Sequence, residues 1–265
     1  MEFTDEYTHD IPGVIYFSRN MPTKEVEHLY QHDLQGCNCK SECKNNACSC
    51  LQRSGTFYKY NNIFELNSYR IEDFVKGPTY ECNENCKCNS RLCGNKLVQF
   101  GPRKSLMVKP CENEMKGLGL FTLKTINRGS FICEYAGEVI TETEAFKRFQ
   151  YNNEHGKINY IFCINEYFGE TSVQTFIDPT YYGNIGRYIN HSCEPNCKLF
   201  VIRINDTMPI LGIFADQDIN KNSEITYDYG DGQLDFKNLG GCIRKSCHCN
   251  SKKCRKYLPF NVSLS

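Results

Sequence analysis

Twelve of the 18 cysteines in this chain stand at the spacing of metal ligands. Cys37, Cys39, Cys43, Cys48 and Cys50 read C-x-C-x3-C-x4-C-x-C, and Cys82, Cys86, Cys88 and Cys93 read C-x3-C-x-C-x4-C. Zinc takes four ligands in a tetrahedron. Nine terminal thiolates would fill two ions and strand one sulfur, whereas six terminal and three bridging sulfurs supply the twelve positions that three zincs need. The nine therefore suit one shared trinuclear cluster. With every thiolate used in coordination, no position stays open for a substrate, so the module is structural and redox sensing is the weaker alternative. A third set, Cys247, Cys249 and Cys254 in "CHCNSKKC", leaves a zinc one ligand short. Cys193 is the best candidate for the fourth, which brings the expectation to four zinc ions per chain.

Cys193 lies in "RYINHSCEPN", residues 187–196, which gathers Arg187, Asn190 and His191 around it. Asn, Ser and Pro are turn formers, and a plain turn is the alternative to a site. A second candidate is the turn Gly117-Leu118-Gly119, where missing Cβ atoms let the backbone approach a ligand. A hairpin turn explains that spacing equally well. Cys111, Cys133, Cys163, Cys197 and Cys242 remain as small apolar fillers or free thiols.

The elements that must position these groups are mostly short strands. "SLMVKP", "LGLFTL", "SFICEYAGEVI", "NYIFCIN", "VQTFIDP", "KLFVIRI" and "PILGIFA" are rich in β-branched and aromatic residues, with Gly, Asn and Asp between them. One helix interrupts them: Thr141 and Glu144 form a capping box ahead of "AFKRFQY", with Ala145, Phe149 and Phe146 expected to face inward. Strands and helices do not alternate, which argues against a doubly wound parallel sheet. The insert between the two cysteine sets holds aromatics without a clean period.

Composition narrows the class. The N-terminus lacks a signal peptide's basic start and apolar run, and no stretch approaches a membrane span, so a reducing compartment and metal-bound thiols are expected over a disulfide scaffold. Formal net charge is +0, from 31 basic and 31 acidic residues, which argues against a protein living on phosphate backbones. Residues 130–236 hold 16 acidic against 7 basic side chains, as suits a cationic substrate, though an ordinary solvated surface would look the same.

"KGLGLF", "EYAGEVI", "NYIF", "RYINHSCEPN" and "EITYDYG", in that order, resemble the motifs of SET-domain protein lysine methyltransferases. The nine-cysteine and three-cysteine sets resemble the pre-SET and post-SET modules of the Suv39-type branch. Within it, "DPTYYGNIGRYINHSCEPN" is most similar to SETMAR-like members. The resemblance implies a mainly β fold with few helices, a knotted arrangement of short sheets flanked by zinc-bound modules. The implied division is an N-terminal segment 1–34, pre-SET 35–98, SET 101–230 and post-SET 243–260.

By the same resemblance, S-adenosylmethionine donates methyl groups to a histone H3 tail lysine, lysine nine or lysine thirty-six. Lys116, Gly117 and Leu118 would line the cofactor with main-chain groups. Asn190 and His191 would hydrogen-bond it from beneath the "EITYDYG" loop, with Arg187 bracing the turn. Tyr229 would be the catalytic hydroxyl and Tyr160 would bind the cofactor edge and orient the lysine. Tyr227, where the family carries Phe or Tyr, would limit the product to mono- or dimethyl-lysine. Leu258 and Phe260 would form an apolar lid. Nuclear chromatin is the implied location, the H3 tail or nucleosome the partner, and a monomer the expected state. A weak DNA contact through the basic C-terminal tail is a further expectation. The competing readings are a non-catalytic zinc-dependent chromatin or histone-tail binding module and a nucleic-acid-binding zinc protein.

Overall fold

A computed structural model describes residues 7, 13–32, 34–40, 43, 47–54, 58–60, 64–66, 78–89, 93–230 and 245–259. An N-terminal strap carries β1 (Ile15–Tyr16), β2 (Met21–Pro22) and α1 (Lys24–Glu27). The cysteine-rich part holds α2 (Ser49–Arg53), β3 (Tyr58–Tyr60), β4 (Phe64–Leu66) and β5 (Thr79–Tyr80). Then come β6 (Leu106–Pro110), β7 (Leu118–Thr122), β8 (Phe131–Tyr135), β9 (Gly137–Ile140), α3 (Glu142–Glu154), β10 (Phe162–Phe168) and β11 (Thr171–Gly183). The last strands are β12 (Asn190–His191), β13 (Cys197–Arg203), β14 (Ile210–Ala215) and β15 (Thr226–Tyr227).

Two sheets carry the core. One runs β1-β11-β9-β2 with β10 also on β11, and the other runs β5-β13-β14-β8. Ile132, Ile177, Ile189, Ile213 and Ile225 are almost fully buried in it. The fold is mainly β with few helices, as expected from the short β-branched runs. "SFICEYAGEVI", read as one strand, is two: β8 joins the second sheet and β9 the first, with Ala136 between them. Gly137 makes the switch, because a Cβ there would lie 2.5 Å from the Asp178 carbonyl carbon and the Pro179 nitrogen. No helix among the described residues is long and apolar enough to cross a membrane.

In α3 the Thr141 hydroxyl accepts the Glu144 amide at 3.2 Å, a cap worth about 1 kcal/mol. Ala145, Phe149 and Asn152 face the core, at i, i+4 and i+7. Phe146 does not; it is 39% exposed, because one step of about 100° turns it off that face.

The strap had no legible period. Its strands are two residues long and run parallel to β11 and β9. Between them Asn20 is buried, donating from Nδ2 to the Pro209 carbonyl at 3.1 Å and accepting the Gly137 amide at 3.2 Å. Its own amide donates to Glu134 Oε1 at 3.2 Å. Strand ends too short for an amphipathic signal are thus pinned by side-chain hydrogen bonds.

Candidate active site and metal centres

The cysteine-rich part folds around sulfur. Three overlapping groups of four lie within ligand reach: Cys37, Cys43, Cys48, Cys82; Cys37, Cys50, Cys82, Cys86; and Cys43, Cys82, Cys88, Cys93. The residues shared between groups are Cys37, Cys43 and Cys82. Their sulfurs are 3.6 Å (Cys37 to Cys43), 3.9 Å (Cys37 to Cys82) and 3.6 Å (Cys82 to Cys43) apart. A tetrahedron with zinc–sulfur bonds of 2.3 Å has edges of about 3.8 Å, so these spacings fit sulfurs that share metal ions and are far too long for disulfides. Cys39 falls in none of these groups, but its thiol lies beside Cys37 and Cys43, next to the first set.

The fourth group joins Cys193 to Cys247, Cys249 and Cys254, with 3.8 Å between the Cys193 and Cys247 sulfurs. Polar contacts dock the tail around it. Arg255 donates its amide to Cys193 Sγ at 3.3 Å, and its guanidinium meets both Asp228 oxygens at 2.7 Å. The Lys253 amide reaches Glu194 at 3.1 Å, and Lys245 Nζ reaches the Lys157 carbonyl at 2.7 Å. The tail therefore spans from the Cys193 turn to the segment just before Tyr160. Leu258 is half-buried; Phe260 and Cys242 lie outside the described residues.

Beneath the tail, β12 and β15 pair in parallel, setting Asn190 opposite Thr226 and His191 opposite Tyr227. Two segments far apart in sequence thus share one short sheet, the knot-like core of the site. Asn196, from the same turn, accepts the Thr226 amide at 2.9 Å and donates to the Glu224 carbonyl at 2.8 Å, tying them further. His191 is 4% exposed. Burial pushes its pKa down to about 4, with Asp228 3.6 Å away as the main opposing influence. The neutral ring accepts the Tyr229 amide at Nδ1 (3.3 Å) and turns Nε2 to Cys193 Sγ (3.2 Å). Both ring nitrogens are therefore occupied by protein.

The tyrosines converge. Tyr227 is buried, its ring 4.9 Å from Tyr229. Tyr229 is 37% exposed and donates its hydroxyl to the Ile189 carbonyl at 3.1 Å. Desolvation, with Tyr160, Glu224 and Cys111 close by, pushes its pKa up, so the phenol stays protonated. Arg187 stacks over the Tyr160 ring at 4.5 Å and donates to the Pro179 carbonyl at 3.0 Å. The arginine therefore braces Tyr160 and the Pro179 turn.

The β6–β7 hairpin supplies the other wall. Gly117 sits at φ 66°, with open space where a Cβ would be, and Leu118 is 38% exposed. Gly119 has a different reason to be glycine: a Cβ would meet Cys111 Sγ at 2.7 Å and Glu224 Oε1 at 3.0 Å. The Leu118 carbonyl accepts Asn190 Nδ2 at 3.0 Å, and the Lys116 side chain pairs with Glu224.

Four participants escaped the sequence reading. Glu224 and Cys111 line the Asn190 side chain. Tyr135 donates to the Tyr160 carbonyl and packs edge-on to the Tyr227 ring at 6.2 Å, and Arg255 clamps Asp228. Tyr135 stands in "EYAGEVI" and Glu224 in "EITYDYG", so both lay inside quoted motifs; Cys111 and the Arg255 pairing had no local signal.

A polar, half-open wall of main-chain groups with Asn190 at its centre suits a small zwitterionic ligand. The adjoining phenols suit an amine. A family model for the SET domain matches residues 117–230, and one for the pre-SET motif matches residues 2–96. The chain is 39% identical over 235 residues to "Probable histone-lysine N-methyltransferase set-23" of Caenorhabditis elegans, covering 86% of this chain and 89% of the relative. The methyltransferase domain of human histone-lysine N-methyltransferase SETMAR superimposes with TM-score 0.78 at 33% identity, over 98% of this chain and 93% of that one. KRYPTONITE in complex with mCHH DNA, H3(1-15) peptide and SAH gives TM-score 0.73 at 26% identity, over 97% of this chain and 50% of that one.

Proposed function

This chain belongs to the SET-domain, pre-SET-bearing histone-lysine methyltransferases related to SETMAR and the Suv39 type, and from that premise we propose that it methylates a lysine of the histone H3 tail with S-adenosylmethionine. The observation that carries the reading is the pairing of β12 with β15, which sets Asn190, His191, Tyr227 and Tyr229 around one half-open wall. The cofactor supplies an electrophilic methyl on a cationic sulfonium, and that charge lowers the pKa of a neighbouring ammonium.

The chain's own groups complete the requirement. Lysine must react as the neutral amine although its reference pKa is about 10.4, and a wall backed by the buried Tyr227 and Tyr135 favours that form. Tyr229 spends its proton on the Ile189 carbonyl, which leaves its oxygen lone pairs to accept from the amine. Tyr135 spends its own proton on the Tyr160 carbonyl, and the buried Tyr227 ring packs edge-on to it at 6.2 Å. A second phenol oxygen beside the amine crowds out added methyls, which assigns mono- and dimethyl-lysine as products. Asn190 and the main chain of Lys116, Gly117, Leu118 and His191 would hold the cofactor, with Arg187 holding Tyr160 in place. The thirteen cysteines would bind four zincs, three in the pre-SET module and one that pins the tail.

The partner is the H3 tail on chromatin, and membership of the histone-lysine methyltransferases supports a nuclear location. Lysine nine lies within the H3(1-15) peptide that KRYPTONITE binds, whereas likeness to SETMAR supports lysine thirty-six. The basic residues Lys252, Lys253 and Lys256 are exposed and suit a weak phosphate contact. Mass spectrometry of recombinant nucleosomes incubated with enzyme and cofactor tests the reading: mono- or dimethylation at either lysine is expected, and an unmodified H3 would refute it.

A further inference from the structure

Glu224 meets both halves of the cofactor wall. Its Oε1 accepts Asn190 Nδ2 at 3.0 Å and faces the Cys111 thiol at 3.4 Å, while Oε2 holds the Lys116 ammonium. The side-chain amide of Asn190 has two hydrogens and faces three acceptors, the Leu118 carbonyl and Glu224 Oε1 at 3.0 Å and Cys111 Sγ at 3.4 Å, so both hydrogens are used. A flipped amide would turn its oxygen onto a carbonyl and a carboxylate. Its orientation is therefore fixed, and Oδ1 meets no donor among the described residues. A fixed acceptor of this kind suits an ammonium.

Charge gives the second observation. Lys116 is side by side with the turn that faces the site, and its side chain is only 12% exposed. Unpaired, a half-buried ammonium would repel a cationic ligand over several ångströms. Glu224 cancels it. Gly119 preserves the arrangement, since any Cβ there would collide with Cys111 and crowd Glu224 Oε1.

We infer that Glu224 is a positioning residue for the cofactor: it locks Asn190 with Oδ1 as the free acceptor for the ligand's α-ammonium, and it neutralises Lys116 so that the sulfonium is not repelled. The inference rests on the methyltransferase reading. S-adenosylhomocysteine has the same ammonium but no sulfonium charge, so the two ligands separate the effects.

The test is calorimetric titration of the full chain with each ligand. Glu224→Gln keeps an acceptor but frees the amide to flip and leaves Lys116 unpaired. It should weaken S-adenosylmethionine roughly tenfold and S-adenosylhomocysteine clearly less, with kcat at saturating cofactor within about threefold of the native chain. Adding Lys116→Gln should restore the native ratio of the two affinities, and this double variant also removes the unpaired charge should Glu224→Gln fold poorly. In the ligand-free protein, the Asn190 side-chain amide protons should exchange slowly in the native chain and fast in Glu224→Gln. Equal weakening of both ligands, with native binding intact, would overturn the neutralising role of Glu224 toward Lys116, and no weakening of either would overturn the inference as a whole. Failure of the native chain to bind either ligand would instead overturn the methyltransferase reading, and the inference with it.

Discussion

Tyr229 and Tyr227 differ in what surrounds their oxygens, and so in what their removal should do. Tyr229 faces the half-open side with its proton committed to Ile189. Tyr229→Phe should lower kcat at least about a hundredfold while cofactor affinity, measured by calorimetry, stays within a few-fold. Tyr227 is buried against Tyr135, and Tyr227→Phe removes the oxygen proposed to crowd added methyls. Its products, read by mass spectrometry, should shift toward trimethyl-lysine at little cost in rate. Glu134 gives a pH prediction away from the site. Burial raises its pKa from 4.5 to about 7, with Arg19 and the Asn20 amide opposing. A raised carboxyl favours the protonated folded state, so its stabilising contribution is complete below pH 4.5 and is lost as pH rises through 7. The loss is on the order of 3 kcal/mol, and Glu134→Gln should flatten the fall in denaturation midpoint between pH 5 and pH 8. An unchanged slope would place the titration elsewhere.

At the scale of elements, the tail docks through the four-cysteine group that would hold a zinc, through the Arg255–Asp228 pair and through the Lys245 contact, and these holds differ in strength. Cys249→Ser removes a ligand and should abolish most methyl transfer while circular dichroism of the strand-rich domain is retained, because the two sheets and the nine-cysteine module keep their own contacts. Arg255→Ala keeps all four sulfurs. Its ion pair is partly exposed, so it should cost only about tenfold in kcat/KM and leave tail zinc in place. Global unfolding of Cys249→Ser would show that the tail is part of the core. The capping box at Thr141, the seven strand-forming runs and the two glycine positions were readable because each signal is local. The strap and the split at Ala136 were not, since a two-residue strand carries no period and a change of sheet is made by Gly137 packing against Asp178 and Pro179.

For the whole molecule, elemental analysis of protein purified without added metal should find four zincs per chain; a ratio near two would refute the shared cluster. That count was available from sequence alone, because ligand number and tetrahedral preference are properties of the residue types. The candidate polar site was likewise legible in outline, since Asn190, His191, Tyr227 and Tyr229 lie in two short motifs. Which sulfurs are shared was not, because Cys37, Cys43 and Cys82 differ from their neighbours only in where the folded chain brings them. Lys116, expected to act through its backbone, also carries a buried charge whose partner, Glu224, is 108 residues away. His191 was legible as a site residue, yet only the fold shows both ring nitrogens taken by Tyr229 and Cys193. The sequence by itself determined the chemistry available, because side-chain type sets ligands, donors and charges. The tertiary structure decided which groups remain free for that chemistry, because hydrogen bonds and ion pairs across distant strands consume one face of a residue and leave the other.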